Sequence, residues 1–155
     1  PEMSEWALRA AGIEPLVNDA VTFDRGSARI ALIGLDDLNA DGERGPDFSL
    51  IARYPTSYRI CLSHQPQSWH RVAGAGAHLM LAGHTHGGQI ALTDRNLNVA
   101  RFSTRYIAGP YRREEAFLYV SRGVGVGAVP VRVGAPPEID LLTLMSAPAS
   151  AKVAA

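Results

Sequence analysis

The sequence predicts an α/β fold, and two stretches carry that prediction. Residues 58–82 read as strand, helix and strand: an apolar run over 58–62, a helix over 66–72 with Pro66 in its first turn, a break at 74–76, and a second apolar run over 78–82. Such a unit lays its two strands parallel. Beyond Gln89 the character changes to short apolar segments punctuated by glycine and proline, with no long helix between them.

Taken in order, the first element is a helix that Ser4 is placed to cap. Trp6, Leu8 and residues 10–13 supply apolar positions at near-helical spacing, and Gly12 supplies the stop, so the helix is expected to end near Ala11. Residues 16–18, 21–23 and 28–33 read as short strands, the last two joined by a polar turn over 24–27. Turn formers fill 39–46, and Phe48, Leu50 and Ile51 predict a short helix ending before Pro55. After the strand–helix–strand unit, further strands are expected at 90–92, 116–121, 129–133 and 139–144. Residues 147–155 are small, polar or alanine-rich and predict a disordered tail, which leaves one domain over 1–146.

Bulk properties narrow the function. The chain has 155 residues, 46% hydrophobic and 19% charged, with 15 basic residues against 15 acidic ones. A zero balance gives no long-range attraction to nucleic acid, yet it leaves room for a local basic pocket that takes a phosphate. No apolar run approaches the roughly 18 residues that a bilayer-spanning helix needs, so no membrane span is expected in this segment. The single Cys61 excludes an internal disulfide and reads as a small buried thiol. The chain opens on Pro1 rather than methionine, so sequence is expected before it.

The chemistry concentrates in Gly83-His84-Thr85-His86-Gly87-Gly88-Gln89. Neutral imidazole is the commonest side-chain metal ligand, and glycine lets a loop take conformations that a Cβ forbids. His64 follows the preceding strand, as His84 follows the next one, and in open α/β sheets that edge is where ligands bind. Each histidine alone reads as a hydrogen-bonded loop residue; three at matching strand ends point to a metal. The residues leave open whether they serve a pair of ions or one zinc in a three-histidine site.

In order along the chain, Leu62-Ser63-His64-Gln65-Pro66, the apolar run 79–82, Gly83 to Gln89, Tyr119-Val120-Ser121-Arg122-Gly123-Val124-Gly125 and Pro137-Glu138-Ile139 resemble the C-terminal half of the calcineurin-like metallophosphoesterases. The similarity is greatest to the bacterial phosphodiesterases that write their last motif GHTHGGQ. The resemblance implies a four-layer αββα sandwich, of which this chain is the C-terminal portion without the N-terminal strands. It implies two divalent ions, manganese, iron or zinc, with His64 and His84 serving one and His86 the other. The implied activity is hydrolysis of a phosphodiester, in a small molecule or a lipid-linked substrate, by a metal-activated water. Some relatives of this kind are membrane-associated through an upstream segment, so localisation stays open, as does the oligomeric state.

The family also carries Asp-x-His, Gly-Asp-x-x-Asp and Gly-Asn-His motifs, and none occurs in these 155 residues. All three normally precede the position of His64, so a fragment is expected, its catalytic groups upstream of Pro1. Three neutral histidines cannot offset two divalent charges, so weak metal binding and no substantial activity are expected of this chain alone. An exposed apolar sheet face is expected with them. A non-catalytic binding module and a mononuclear three-histidine zinc hydrolase remain as alternatives. Among other candidates, Gln89 and Arg122 are placed to meet substrate, Gln89 equally to make a loop hydrogen bond and Arg122 more readily to sit at the surface. Asp36 and Asp37 read as solvated turn carboxylates, and His70 and His78 as structural.

Overall fold

The computed structural model describes residues 2–40, 45–91, 98–127 and 129–145. The tail expected over 147–155 lies outside the described residues, as do Leu92 and the side chain of Ser4. Helix α1 (Glu2–Ala10) is followed by β1 (Asp19–Arg25), β2 (Ala28–Gly34), α2 (Ser49–Ala52), β3 (Tyr58–Leu62), α3 (Trp69–Gly74), β4 (Leu79–Ala82), β5 (Gly109–Arg113) and β6 (Ala116–Val120). The strands form one mixed sheet in the order β1-β2-β3-β4-β6-β5. Its four central strands are parallel, and both edge strands run antiparallel to their neighbours. Of the four layers implied by the resemblance, the described residues build this one sheet with α2 and α3 contributing to the core on one face.

Local chemistry explains most boundaries. Gly12, at φ 75°, takes the left-handed conformation that ends α1. Gly26, at φ 61°, opens the two-residue turn between Arg25 and Ala28, where a tight hairpin takes glycine. Pro66 begins a single 3-10 turn, Pro66–Ser68, that leads directly into α3.

Parallel register puts Ile33, Cys61, Met80 and Leu118 side by side across the sheet. All four have no exposed surface, and Trp69 and Val72 of α3 join Leu50 and Ile51 of α2 in the same core. Burial pushes the Cys61 thiol up to about 12, which removes the thiolate and leaves an inert apolar side chain. The other face is less covered. Phe23, Tyr58 and Phe117 share it and are 53%, 39% and 42% exposed. Part of it meets the C-terminal segment, held where the Tyr119 hydroxyl donates to Asp140 Oδ1 at 2.6 Å and the Glu138 N–H to the Gly123 carbonyl at 3.1 Å.

Several expected strands are absent. Residues 16–18 cross the end of β2 instead of pairing with it; a Cβ on Gly34 would stand 2.3 Å from the Leu16 carbonyl oxygen, so only glycine permits the crossing. Residues 129–133 contribute a lone bridge, Val133 to Ile90, and Pro130 interrupts any longer ladder. Residues 139–144 keep an alternating pattern but no described strand pairs with them, and Ile139 and Leu141 stay about nine-tenths exposed. Conversely β5 was not expected. Its Gly109-Pro110 start reads as a turn, and proline is tolerated there because β5 is an edge strand.

Two outcomes test this packing. Met80→Ala should lower the unfolding free energy by about 2–5 kcal/mol in urea titration, because a fully buried side chain leaves a cavity. His78 accepts a hydrogen bond from the Arg59 N–H at 2.9 Å through Nδ1, and burial, then the Arg59 charge, hold its pKa below the ordinary value of 6.5. A depressed histidine means that the unfolded chain takes up the proton first. This contribution is therefore complete above pH 6.5 and is lost as the pH falls through the folded value. His64 acts in the same direction, so the measure is the smaller fall in urea midpoint between pH 7.5 and 5.5 for His78→Asn than for the parent chain, tenths of a molar being sufficient to resolve it.

Candidate metal centre

All four parallel strands end at one edge, and the ladder continues briefly past them. The Leu35 N–H donates to the Leu62 carbonyl, Ser63 to Leu81, Gly83 to His64 at 3.1 Å, and Ser121 to Ala82. Those bonds set Asp36 and Asp37, His64, His84 and Arg122 along a common rim. His84 Nδ1 stands 3.1 Å from His64 Nε2, with the rings edge to face and centroids 4.9 Å apart. Two imidazole nitrogens at about 2.0–2.1 Å from one ion, subtending an angle between square and tetrahedral, are roughly 2.9–3.4 Å apart. His64 and His84 therefore fit one divalent ion. Burial first, and then the neighbouring His84, hold the His64 imidazole below its ordinary pKa, which keeps it in the neutral form that ligates.

His86 is held apart from that pair. Its Nδ1 faces Gln89 Oε1 at 2.9 Å, and an amide oxygen only accepts, so Nδ1 carries the proton and Nε2 is left with its lone pair free. The same Oε1 accepts from the Gly127 N–H at 2.6 Å, while Gln89 Nε2 donates to the Val129 carbonyl at 2.6 Å. Gln89 thus has no freedom to swing. Among the described residues, no group of three or more histidine, cysteine, aspartate or glutamate side chains surrounds a common point.

The loop carries strain that its supports must hold. His84, His86 and Gln89 have φ of 70°, 52° and 55°, a region that costs a residue with a Cβ about 1–3 kcal/mol. Gly87 and Gly88 supply the tight spots between them: a Cβ on Gly87 would stand 2.9 Å from the Arg122 side chain, and one on Gly88 1.9 Å from Asn98 Oδ1. Asn98 fills the space as a clamp, donating to the Gly87 carbonyl at 2.9 Å and accepting from the Ala100 N–H at 3.0 Å. Thr85 is pinned by a bond from its hydroxyl to the Ile107 carbonyl.

Around this loop the other candidates fall into place. Asp37 Oδ1 accepts from the Asn39 N–H and from Gln65 Nε2 at 2.6 Å. These bonds, followed by the nearby His64 and His84, hold it below the ordinary carboxylate range. A fixed anion therefore sits beside the histidine pair. Arg122 is bound to Glu138 through Nη1 at 3.3 Å, and its backbone N–H donates to the same carboxylate.

Two supports were not read from the sequence. Arg132 Nη2 donates to the Arg122 carbonyl at 2.8 Å, and its other nitrogens reach the carbonyls of Gly125, Ala135 and His86. It ties the segment after β6 to the histidine loop. Asn98 is the second. Neither belongs to a local motif; the one available signal for Arg132 was a charged residue inside a glycine- and valine-rich stretch.

Several relatives match most of the chain. A bovine (Bos taurus) transmembrane protein with metallophosphoesterase domain is 34% identical over 95% of this chain and 36% of its own length. The phosphodiesterase YaeI of Escherichia coli is 34% identical over 89% of this chain and 50% of its own length. The chain belongs to the calcineurin-like metallophosphoesterases. A UDP-2,3-diacylglucosamine pyrophosphatase, LpxG of Chlamydia trachomatis, is 29% identical over 91% of this metallophosphoesterase chain and 44% of its own length. The chain thus spans half or less of the length of these three relatives. No protein-family model matches it, and no solved structure matches it.

Gly88→Ala should lower stability by about 1–3 kcal/mol, since it adds a Cβ at φ 94° and pushes it into the Asn98 amide. Adding Asn98→Ala should recover part of that loss, because the colliding group is gone. Urea unfolding of the two single variants and the double variant measures this; strictly additive losses would contradict the clamp.

Proposed function

We propose that this metallophosphoesterase chain supplies one part of a two-metal centre that hydrolyses phosphodiesters. His64 and His84 hold one divalent ion, manganese, iron or zinc, and His86 the other. The observation that carries the reading is the 3.1 Å approach of His84 Nδ1 to His64 Nε2 at adjacent parallel strand ends. When bound, such an ion pair activates a water and offsets charge on the phosphoryl oxygens. The chain's own contribution is positioning. Gln89 keeps the proton on His86 Nδ1 and so presents Nε2, while Asp37 places a negative charge beside His64 and His84. Arg122 keeps free N–H groups for a phosphoryl oxygen while Glu138 holds one of its nitrogens.

The substrate class is a phosphodiester or pyrophosphate-linked molecule, small or lipid-linked, supported by relatives named as a phosphodiesterase and as a pyrophosphatase of a diacylated sugar nucleotide. A mononuclear three-histidine zinc site needs three imidazoles around one ion, and the described residues show no such grouping. We also propose that the 155 residues alone are inactive, because they lack the three family motifs that carry the remaining ligands.

Calorimetric titration with manganese should show weak binding by the chain. His84→Ala should abolish it, and Gln89→Leu should weaken it about tenfold through loss of the His86 orientation. Turnover of bis(p-nitrophenyl) phosphate should stay at background. Unchanged binding in His84→Ala would favour a non-catalytic module, and robust turnover by this chain would overturn the proposed incompleteness.

A further inference from the structure

Away from the histidine rim, a concavity of about 440 Å³ opens beside α3, with Trp69, His70, Arg105, Tyr106, Tyr111 and Arg113 in its wall. Arg113 pairs with Ala116, at the end of β6 remote from Ser121 and the metal loops. The hydrogen bonding here does not close. Arg105 Nη2 lies 2.6 Å from His70 Nε2 and 2.8 Å from the Tyr106 hydroxyl, and Arg113 Nη1 lies against His70 Nδ1. Guanidinium nitrogens only donate, and a neutral imidazole has one acceptor nitrogen and one N–H. Whichever tautomer His70 takes, one guanidinium confronts an N–H.

Carboxylate partners are also missing among the described residues. The ion pairs among the described residues engage Arg9, Arg29, Arg53, Arg112 and Arg122, and neither Arg105 nor Arg113 is in one. The Tyr111 oxygen already accepts from the Ile107 N–H at 2.8 Å, so its own proton adds to the surplus of donors. Two unpaired cations, an imidazole and two phenols converge on a space large enough for a small ligand, in a chain of zero net charge. A group with several acceptor oxygens and negative charge matches this surplus of donors.

We propose that this concavity is a second anion site, distinct from the metal rim, which binds the phosphate group of a soluble phosphomonoester or of a lipid headgroup. Arg105 and Arg113 clamp the phosphate oxygens from two sides, and His70 donates the N–H that its neighbours cannot accept. Arg105 is held for this role by stacking over the Tyr106 ring, 5.0 Å from its centroid.

The test is imidazole-detected NMR of the 155-residue chain titrated with inorganic phosphate at constant ionic strength. The His70 ring signals should move saturably, and Arg105→Gln or Arg113→Gln should weaken binding about tenfold, one charge-assisted bond each. Arg29→Gln, which removes a charge paired to Asp24 on the β1–β2 hairpin, should leave it unchanged. A parallel flotation with phosphatidylcholine vesicles containing phosphatidic acid assigns the source. Flotation lost in both glutamine variants identifies a headgroup, and phosphate binding without flotation identifies a soluble ligand. If the glutamine variants lose the near-ultraviolet dichroism of the folded chain, Arg105→Lys and Arg113→Lys are read instead, and weaker binding is again expected from loss of the fork. The proposal is overturned if neither probe moves His70, if the folded arginine variants bind as the parent does, or if Arg29→Gln weakens binding equally.

Discussion

The parallel pairing of β3 with β4 is the constraint on which the rest depends. The register that sets Cys61 beside Met80 buries both under α3, and the same register, continued by the Gly83 to His64 bond, brings two imidazoles together beyond the strand ends. A slip of one residue would turn the buried side chains outward and separate the histidines in a single step. Core packing and histidine placement are thus one requirement, and the inert, buried Cys61 lies where the two meet.

Beyond the strands, order depends on polar side chains that bridge distant loops. His84, His86 and Gln89 occupy a backbone region that they would not hold by themselves. Asn98 fills the space over Gly88, Gln89 shares one oxygen between His86 and Gly127, and Arg132 gathers carbonyls from four residues. Each bridge satisfies backbone groups that an irregular loop leaves without partners. A strained histidine loop is held in place by hydrogen bonds rather than by apolar burial.

What the sequence reveals follows from how local each signal is. β3 matches its expected bounds because its apolar run and the proline after it are local facts, and the α/β class follows from the same run. The Gly-His loop is visible because its residues are contiguous. Arg132 and Asn98 are hidden because each meets the loop only through long-range folding, 46 and 11 residues away from its partners His86 and Gly87. The strands expected at 129–133 and 139–144 fail for a related reason: alternation marks a segment able to pair, while pairing needs a neighbour, and the described sheet ends at β5.

The two kinds of closure differ in span, and this sets what each depends on. His64 and His84 are 20 residues apart, joined through one short helix, whereas Arg132 reaches His86 across 46 residues. Loop-closure entropy makes the longer connection roughly 0.7 kcal/mol more costly before any contact compensates it. During folding, the histidine pair is therefore built with its strand–helix–strand unit. The Arg132 tie, which spans 46 residues, depends instead on β6 having joined β4, whose pairing of Ala82 with Val120 shortens the path between them.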